Sequence, residues 1–457
     1  MPSDARRLLV ISYYFPPDGC VGGLRWAGIA KYLARLGWQV SVLTASRPAG
    51  SDATPGVQVE WCPRFPTVLD RYQALRRWDR QSSRSVETAP RFAGASRPPG
   101  LLRELHRELV AFLALPDWSR GWLLRAALRA RSVVRRFQPH FVVSSGPPHS
   151  AHLVAAMATM GGSARWFIDL RDPWAGPIAT AWQSHPIWGT RMFRAVMPRL
   201  ERLAFRAAQG VIATTPQLAE ALTAKYPDVA VTYLRNGVDP ESLPPRAPQP
   251  YGGIGIVYAG TLYGSHDLGS VMQALRVFLQ RHPEAAQAGS KLRVAGHADP
   301  TNARACEEQI AALGLEQHVE VLGVLPRSQA LDVLSRSRLA VVLAQELELQ
   351  VPTKLYESVA MGIPTLVVAE ARSAAAIEGK RLGVTVLDPG DVGGIVRLLE
   401  QLWRNGTPHA LPSHTAITYG DVAARVHELL TGPGPITMAT ATDNTTALTQ
   451  EAALPYA

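Results

Sequence analysis

The 457-residue chain contains few cysteines and no long apolar run, and each shortage excludes a class of protein. Its three cysteines, Cys20, Cys62 and Cys306, are odd in number and far apart, so the sequence predicts neither a disulfide scaffold nor a cysteine zinc site. No run approaches the roughly 18 apolar residues of a membrane-spanning helix. The apolar N-terminal run is also too short for a signal peptide. We therefore expect a cytoplasmic protein, free or peripheral on the inner face of the cell membrane.

Lysine is scarce as well, so arginine carries most of the formal net charge of +10. Residues 64–136 contain sixteen arginines and six acidic residues, which accounts for the whole excess and leaves the rest of the chain neutral. Such a local excess is compatible with anionic membranes, phosphorylated substrates or nucleic acid. Because the segment lacks the interleaved aromatic and basic motifs of single-strand binders, we expect no nucleic-acid partner.

Short apolar runs alternate with helical patterns along most of the chain, which is 47% apolar and therefore not disordered throughout. This alternation predicts an α/β fold of two doubly wound Rossmann-like domains that face each other across a cleft. We place the domains at residues 1–238 and 251–412, with a proline-rich linker at 239–250. Residues 413–432 are predicted to form a helix that crosses the domain junction, and 433–457 a disordered tail.

Candidate ligand contacts lie where strands end and helices begin, because such turns present unpaired N–H groups to anions. After the first strand, Gly22 and Gly23 allow a phosphate to approach and Arg25 adds a charge, although a plain strand-to-helix turn is an equal alternative. His149 and His152 follow a later strand, where a place beside a cleft favours a functional role over a structural one.

A third strand end carries Asp169, Arg171 and Asp172. Either acid could orient an acceptor hydroxyl or accept its proton, with Arg171 holding the acid in place. A structural network of acid and arginine that ties the strand to a helix is an equal alternative. The two acids do not have the Asp-x-Asp spacing of a metal-bound diphosphate, and His297 with Asp299 lacks a third ligand, so no metal site is predicted.

Five segments of the chain resemble one family when taken together. They occupy residues 13–26, 144–152, 169–174, 258–262 and 351–364 and read YYFPPDGCVGGLRW, SSGPPHSAH, DLRDPW, YAGTL and VPTKLYESVAMGIP. In this order they resemble the GT-B glycosyltransferases of family 4, most closely the members that build bacterial surface polysaccharides. The resemblance leaves out the basic insertion and the C-terminal tail.

The resemblance implies a retaining transfer of a sugar from a nucleotide-diphosphate donor, bound by the second domain, to an acceptor hydroxyl at the first, with no metal ion and no cofactor. The matching donor-binding positions hold Gly22, Gly23, Gly260, Thr261, His266, Gly296, Thr353, Lys354, Leu355 and Glu357. Thr353 and Lys354 would meet the diphosphate at a helix N-terminus. Glu357 would accept hydrogen bonds from the ribose, the alternative being an ordinary ion pair between Lys354 and Glu357.

The resemblance also assigns a histidine to the donor sugar, with His149 as the first candidate and His152 close behind. Thr261 and His266 stand where the family usually has Arg and Lys, and Leu349 where it usually has Glu. Two cations expected at the diphosphate are therefore missing, and the contacts to the sugar are left open. A sugar-nucleotide epimerase of the same fold, or a non-catalytic basic binder of membranes or nucleic acid, are the alternative functions.

The basic insertion at residues 64–136 has two interpretations. Its middle, Gln81–Gly100, is rich in Ser, Pro, Arg and Gly and is predicted to be mobile, while its end has the pattern of an amphipathic helix. In polysaccharide-building relatives such helices lie on anionic membrane and receive a lipid-linked acceptor, which would make Trp78, Trp118 and Trp122 interfacial anchors. The alternative is a solvated arginine face above a buried apolar one.

Overall fold

The computed structural model describes residues 5–17, 21–48, 54, 56–72, 74, 100–175, 189–405 and 417–432. Cys20, Trp78, the tail at 433–457 and all but the last residue of the predicted mobile segment Gln81–Gly100 lie outside the described residues. Two parallel sheets with helices on both faces form two facing domains. The predicted α/β fold class is thereby confirmed.

The first domain is built on a seven-stranded sheet. Its strands are β1 (Arg7–Ser12), β2 (Gln39–Thr44), β3 (Val57–Trp61), β4 (Phe141–Gly146), β5 (Arg165–Leu170), β6 (Gly210–Ala213) and β7 (Val231–Tyr233). The sheet order is β3-β2-β1-β4-β5-β6-β7, and all neighbours are parallel. Leu9 and Ile11 enter one buried layer and Leu8 and Val10 the other, because successive strand residues face opposite sides of a sheet.

The second domain repeats this arrangement with a six-stranded sheet. Its strands are β8 (Gly255–Ala259), β9 (Lys291–Ala295), β10 (Val319–Gly323), β11 (Leu339–Leu343), β12 (Thr365–Val368) and β13 (Thr385–Leu387). Their order is β10-β9-β8-β11-β12-β13, again with parallel neighbours. The central strands β8, β11 and β12 are buried along their whole length, which explains their nearly continuous apolar sequence.

Helices cover both faces of each sheet. In the first domain they are α1 (Val21–Arg35), α2 (Leu101–Ala114), α3 (Arg120–Phe137), α4 (Ser150–Thr159), α5 (Arg191–Ala207) and α6 (Pro216–Lys225). In the second domain they are α7 (Gly269–Arg281), α8 (Pro283–Gln287), α9 (Pro300–Leu313), α10 (Arg327–Ser335), α11 (Thr353–Ala360), α12 (Ala374–Arg381) and α13 (Val392–Asn405). None of the helices in these ranges is long and apolar enough to cross a bilayer.

The last helix of the described chain, α14 (Tyr419–Thr431), returns to the first domain and packs on α1. A short parallel bridge between Val238 and Thr418 leads the chain back, and a capping box around Thr418 starts the helix. A Cβ on Gly28 of α1 would lie 2.1 Å from the Tyr419 ring, so the glycine makes this packing possible. The helix completes a buried layer of the first domain.

Direct contacts also join the two domains at the cleft. Thr215 Oγ1 donates to the Leu349 carbonyl at 2.7 Å, and Arg235 Nε donates to Glu378 Oε2 at 3.3 Å. Although Leu349 belongs to the second domain, its side chain is buried in a core layer of the first. The domains are therefore held together by apolar packing as well as by hydrogen bonds.

The basic insertion differs from the sequence interpretation in two respects. Trp122 is fully buried and donates to the Cys62 carbonyl at 2.8 Å, so the interpretation of Trp122 as an interfacial anchor was wrong. Arg129 and Arg136 of α3 both pair with Glu60 of β3, a strand that the sequence did not predict. Part of the arginine face is therefore neutralised within the fold.

Candidate active site in the interdomain cleft

A cavity of about 350 Å³, here called the cleft cavity, lies between the two domains. From the first domain it is lined by Gly22, Arg25, Arg171, Asp172, Thr214 and Asn236. From the second domain it is lined by Tyr258, Ala259, Gly260, Thr261, Tyr263, His266, Val341, Val342, Leu343, Leu347, Gln350, Val351, Pro352, Thr353 and Lys354. Most of these residues follow the carboxyl ends of strands, which is where doubly wound folds bind ligands.

Arg171 brings a positive charge to the first-domain wall, beside the N-terminus of α1. A Cβ on Gly22 would lie 2.5 Å from Arg171 Nη1, so glycine leaves room for the guanidinium. The guanidinium donates to the Pro147 carbonyl, and its Nε is buried without a partner. Burial lowers the pKa of Arg171, and Asp172 and Asp169 partly offset this effect. Because the helix N-terminus is positive too, an anion bound here would be attracted by both.

The N-terminus of α11 forms the opposite wall, where Thr353 and Lys354 line the cleft cavity. Lys354 Nζ donates to Glu357 Oε2 at 2.7 Å, and Arg327 Nη1 contacts Glu357 Oε1 at 2.6 Å. Burial acts to raise the pKa of Glu357, but the two cations outweigh burial and lower it. Glu357 thus lies behind Lys354 and borders a separate cavity of about 360 Å³ at the linker. The Leu355 side chain is fully buried beneath the helix and does not reach either cavity.

Glycines at the ends of β8 and β9 shape another part of the wall. Gly260 lines the cleft cavity, and Gly296 supports it from behind, since a Cβ on Gly296 would lie 1.8 Å from the Gly260 carbonyl oxygen. The φ of Gly296 is 146°, which also requires glycine. Gly23 packs against the loop after β1 rather than facing the cleft cavity.

Thr261 and His266 occupy the wall where the family resemblance leads one to expect cations. Thr261 is exposed, whereas His266 is buried. Burial lowers the pKa of His266, so the ring is neutral at pH 7. Neither side chain therefore replaces the charge that the usual Arg and Lys would bring.

Arg25 and Asp169 form a buried network at the end of β5. Arg25 Nε donates to Asp169 Oδ1 at 3.1 Å, and its terminal nitrogens donate at 2.9 Å to carbonyls just after β7. Asp169 also accepts hydrogen bonds from Trp26 Nε1 and Ser145 Oγ, each at 2.8 Å. These contacts match the structural alternative for Asp169, with Arg25 as its partner in place of Arg171.

Asp172 is the acidic side chain of the cleft cavity among the described lining residues. Burial raises the pKa of its carboxyl, and Arg171 opposes the rise only in part. Burial also raises the pKa of Tyr263, on the second domain, to about 12, with a further contribution from the charge of Asp172. A carboxylate with a raised pKa is a better proton acceptor than an exposed one.

His149 and His152 lie behind the wall of the cleft cavity and are not among the residues that line it. His149 stacks on Trp174 at a centroid distance of 4.9 Å, and neither of its ring nitrogens has a partner. His152 Nδ1 hydrogen-bonds with Ser144 Oγ at 2.9 Å. Burial lowers the pKa of His152 to about 3 and that of His149 well below its ordinary value. Contact of His149 with a donor sugar would require the ring to move, and this role stays a prediction.

The sequence analysis missed several polar side chains of the cleft cavity: Thr214, Asn236, Tyr258, Tyr263 and Gln350. Thr214 and Asn236 follow β6 and β7, and this position after a strand was the available signal. Gln350 lies directly before the resembling segment 351–364 and carries no signature of its own. In the described part of the chain, no group of three or more His, Cys, Asp or Glu side chains is arranged to hold a metal ion.

Two facing Rossmann-like domains with a cavity between them have the arrangement of the GT-B fold. A family model described as Glycosyltransferase Family 4 matches residues 86–242, and a model described as Glycosyl transferases group 1 matches residues 255–405. The chain belongs to the GT-B glycosyltransferases. No curated protein matches it significantly in sequence.

Solved structures share the fold at low sequence identity. Starch synthase IV from Arabidopsis thaliana, bound to ADP and acarbose, has a TM-score of 0.58 at 12% identity, over 94% of this chain and 99% of that chain. HepE from Anabaena, in complex with UDP and glucose, has a TM-score of 0.57 at 14% identity, over 93% and 99%. A protein from Listeria monocytogenes described as a UDP-N-acetylglucosamine 2-epimerase has a TM-score of 0.50 at 14% identity, over 93% and 96%.

Proposed function

We propose that this glycosyltransferase moves a sugar, with retention of configuration, from a nucleotide-diphosphate donor to an acceptor hydroxyl in bacterial polysaccharide or glycoconjugate biosynthesis. The observation that carries the proposal is the positive lining of the cleft cavity, with Arg171 on one wall and Lys354 at a helix N-terminus on the other. Departure of a nucleoside diphosphate develops negative charge, which fixed cations and N–H groups stabilise. HepE binds UDP in a related fold, which supports a donor of this class.

The donor is proposed to lie with its diphosphate between Lys354 and Arg171 and its ribose toward Glu357. Thr353 borders both cavities and Glu357 borders the one at the linker, so a nucleotide that spans the N-terminus of α11 could reach both residues. The acceptor hydroxyl is proposed to approach from the first domain, where the Asp172 carboxylate can take up its proton. The transfer is proposed to need no metal ion, because protein cations compensate the diphosphate.

The acceptor is proposed to be lipid-linked and to be reached at an anionic membrane. The described part of the basic insertion presents an exposed apolar stripe along α2, formed by Leu101, Leu102, Leu105, Leu109 and Phe112. Apolar residues would be expected to face inward if α2 were an ordinary surface helix. An exposed stripe of this kind within an arginine-rich segment suits insertion among anionic headgroups.

A sugar-nucleotide epimerase is the competing enzyme class, because the 2-epimerase from Listeria shares the fold. An epimerase needs acid and base groups at the sugar ring. Asp172 is the carboxylate among the described lining residues of the cleft cavity, which favours transfer to an acceptor.

The test is a donor screen in the presence of EDTA. UDP, GDP, ADP, dTDP and their common glycosyl derivatives are added to the full chain, binding is followed by thermal shift and calorimetry, and the products are analysed by mass spectrometry. We expect one nucleotide series to stabilise the protein and its sugar to remain unaltered until an acceptor is added. A changed sugar on the nucleotide without an acceptor would establish the epimerase instead. Binding that requires a divalent metal would overturn the metal-free proposal.

A further inference from the structure

The loop between β11 and α11 carries a side-chain amide whose buried nitrogen has no hydrogen-bond partner in the described part of the chain. Gln350 is 8% exposed, lines the cleft cavity, and has its Nε2 buried without a hydrogen-bond partner. Buried amide groups in proteins are nearly always paired, because an unpaired one costs about 1–3 kcal/mol. An unpaired group that faces a cavity is therefore a candidate for contact with a ligand.

A second glutamine on the same loop shows what a structural role would look like. Gln345 is also 8% exposed, but both ends of its amide are satisfied. Its Oε1 accepts from the Asp267 backbone N–H at 2.8 Å, and its Nε2 donates to the Asp267 carbonyl at 2.9 Å. The two residues have the same chemistry and the same burial, and they differ in whether the protein itself provides a partner.

Hydrogen bonds from both domains anchor the backbone of the loop that carries Gln350. The Glu346 N–H donates to the Glu370 carboxylate at 3.1 Å, and the Glu348 carbonyl accepts from the Ala374 N–H at 2.9 Å. Thr215 Oγ1, from the first domain, donates to the Leu349 carbonyl. A loop whose backbone is fixed before the ligand arrives loses less conformational entropy on binding.

The position of Gln350 indicates which part of a donor it meets. On its C-terminal side the chain runs through Val351 to Lys354 at the N-terminus of α11, where the diphosphate is proposed to lie. On its N-terminal side Leu349 contacts the first domain, which is proposed to bind the acceptor. In a transfer between the two, the glycosyl group lies between the diphosphate and the acceptor.

We infer that Gln350 is a specificity-determining residue whose amide hydrogen-bonds a hydroxyl of the transferred sugar. This inference rests on the proposed function. A hydroxyl fits because it both donates and accepts, and an amide presents either an N–H or a C=O when its terminal bond rotates. The Leu349 side chain is turned into the first domain, whereas the adjacent Gln350 lines the cleft cavity and can present its amide to a bound sugar.

The experiment compares Gln350→Leu with Gln345→Leu in the full chain. The probes are the nucleoside diphosphate and nucleotide sugar that bind best among UDP, GDP, ADP, dTDP and their glycosyl derivatives. We expect Gln350→Leu to bind the diphosphate within about twofold of the unchanged protein and the nucleotide sugar about tenfold more weakly, the loss of about 1.4 kcal/mol. Its melting temperature should be unchanged or higher, because an unpaired buried amide is removed. Gln345→Leu should melt at a lower temperature.

Monodeoxy analogues of the nucleotide sugar supply a second readout. The unchanged protein should discriminate against the analogue that lacks the contacted hydroxyl, and Gln350→Leu should not. Equal loss of diphosphate and nucleotide sugar, no loss of either, or a fall in melting temperature like that of Gln345→Leu would each overturn the inference and leave the proposed function standing. Failure of the unchanged protein to bind any of these nucleotides would instead overturn the proposed function.

Discussion

At the scale of single residues, the two cations of the cleft cavity differ in how far their charge is already compensated. Lys354 shares a short ion pair with the Glu357 carboxylate. Arg171, by contrast, hydrogen-bonds a backbone carbonyl and has a buried Nε without a partner. Because Arg171 has no such ion pair among the described residues, although Asp172 and Asp169 lie near it, its charge should contribute more to the binding of an added anion.

We predict that Arg171→Leu weakens binding of the preferred nucleoside diphosphate about a hundredfold and Lys354→Met about tenfold, given about 1.5–3 kcal/mol for a hydrogen bond to a charged group. Calorimetric titration measures both. Lys380→Met, a change of an exposed helical lysine elsewhere in the second domain, is the control and should bind normally. Unchanged affinity in both cleft variants would contradict the placement of the diphosphate.

The buried histidines predict how stability depends on pH. Burial keeps His149 and His152 neutral in the folded protein, with a lowered pKa for each. As the pH falls below about 6.5, the unfolded chain takes up protons that the folded rings do not, so folding stability is lost by up to about 1.4 kcal/mol per pH unit for each ring. The stability is fully present above pH 6.5.

We therefore expect the free energy of unfolding to fall less for His149→Phe than for the unchanged protein when the pH is lowered from 6.5 to 5. Urea unfolding at several pH values gives the slopes. His297→Phe, which replaces an exposed histidine, is the matched control, and its slope is the reference for that of His149→Phe. An identical slope for His149→Phe would show that the ring becomes protonated without unfolding.

Individual side chains also show why the site could be predicted only in part. Glycines and charged residues that follow strands can be recognised from the local sequence. Gly22, Arg171 and Lys354 were found in this way, and they line the cleft cavity. Arg25 has the same local signature, yet its guanidinium is bound by Asp169 and by distant carbonyls. The role of Gln350 can be inferred only from the three-dimensional structure, which shows that it lines the cleft cavity with an unpaired amide nitrogen. Sequence locates a charged group but does not tell which neighbour will satisfy it.

At the scale of elements, the exposed apolar stripe of α2 leads to a prediction about membrane binding. Replacing Leu102, Leu105 and Leu109 with Gln on its exposed stripe removes apolar area that the fold does not bury. We expect binding to vesicles of anionic phosphatidylglycerol, measured by flotation, to fall at least tenfold, since each buried leucine contributes about 1.5–3 kcal/mol. The melting temperature should change little.

The control for this experiment is a pair of exposed leucines on the neighbouring helix, Leu124→Gln with Leu128→Gln on α3. If the loss of vesicle binding is confined to the α2 variant, the stripe on α2 is the contact. Equal binding by the unchanged protein and the α2 variant would remove the membrane from the proposed function.

The helix α3 shows what a charge pattern can and cannot predict. Its apolar positions predicted the buried face, and Ala126, Ala130 and Val133 are indeed fully buried. The arginine positions predicted an outer face but not the partner Glu60. The alternation of apolar and polar residues in β3 was an available strand signal, but it does not show that the polar Glu60 is the buried residue of that strand. Pairing between distant elements depends on the sheet order, which local patterns do not contain.

At the scale of the whole molecule, the packing of Leu349 leads to a prediction about what holds the two domains together. Its side chain is 9% exposed and packs in the core of the opposite domain. We expect Leu349→Ala to weaken the docking of the two domains by a free energy of about 2–3 kcal/mol. The radius of gyration, measured by small-angle X-ray scattering, should then increase. Leu347→Ala, on the same loop, removes a side chain buried in the second domain's own core and should lower stability without opening the cleft. An unchanged radius for both variants would show that Leu349 does not hold the domains together.

The return of α14 to the first domain has a consequence for biosynthesis. The layer that contains Trp26 is completed by α14, which is translated after the whole second domain, and Gly28 packs against a tyrosine almost four hundred positions later. The second domain is contiguous in the chain and can complete its core during translation, whereas the first cannot. The apolar side of α1 that α14 covers therefore stays exposed on the nascent chain until α14 has been translated.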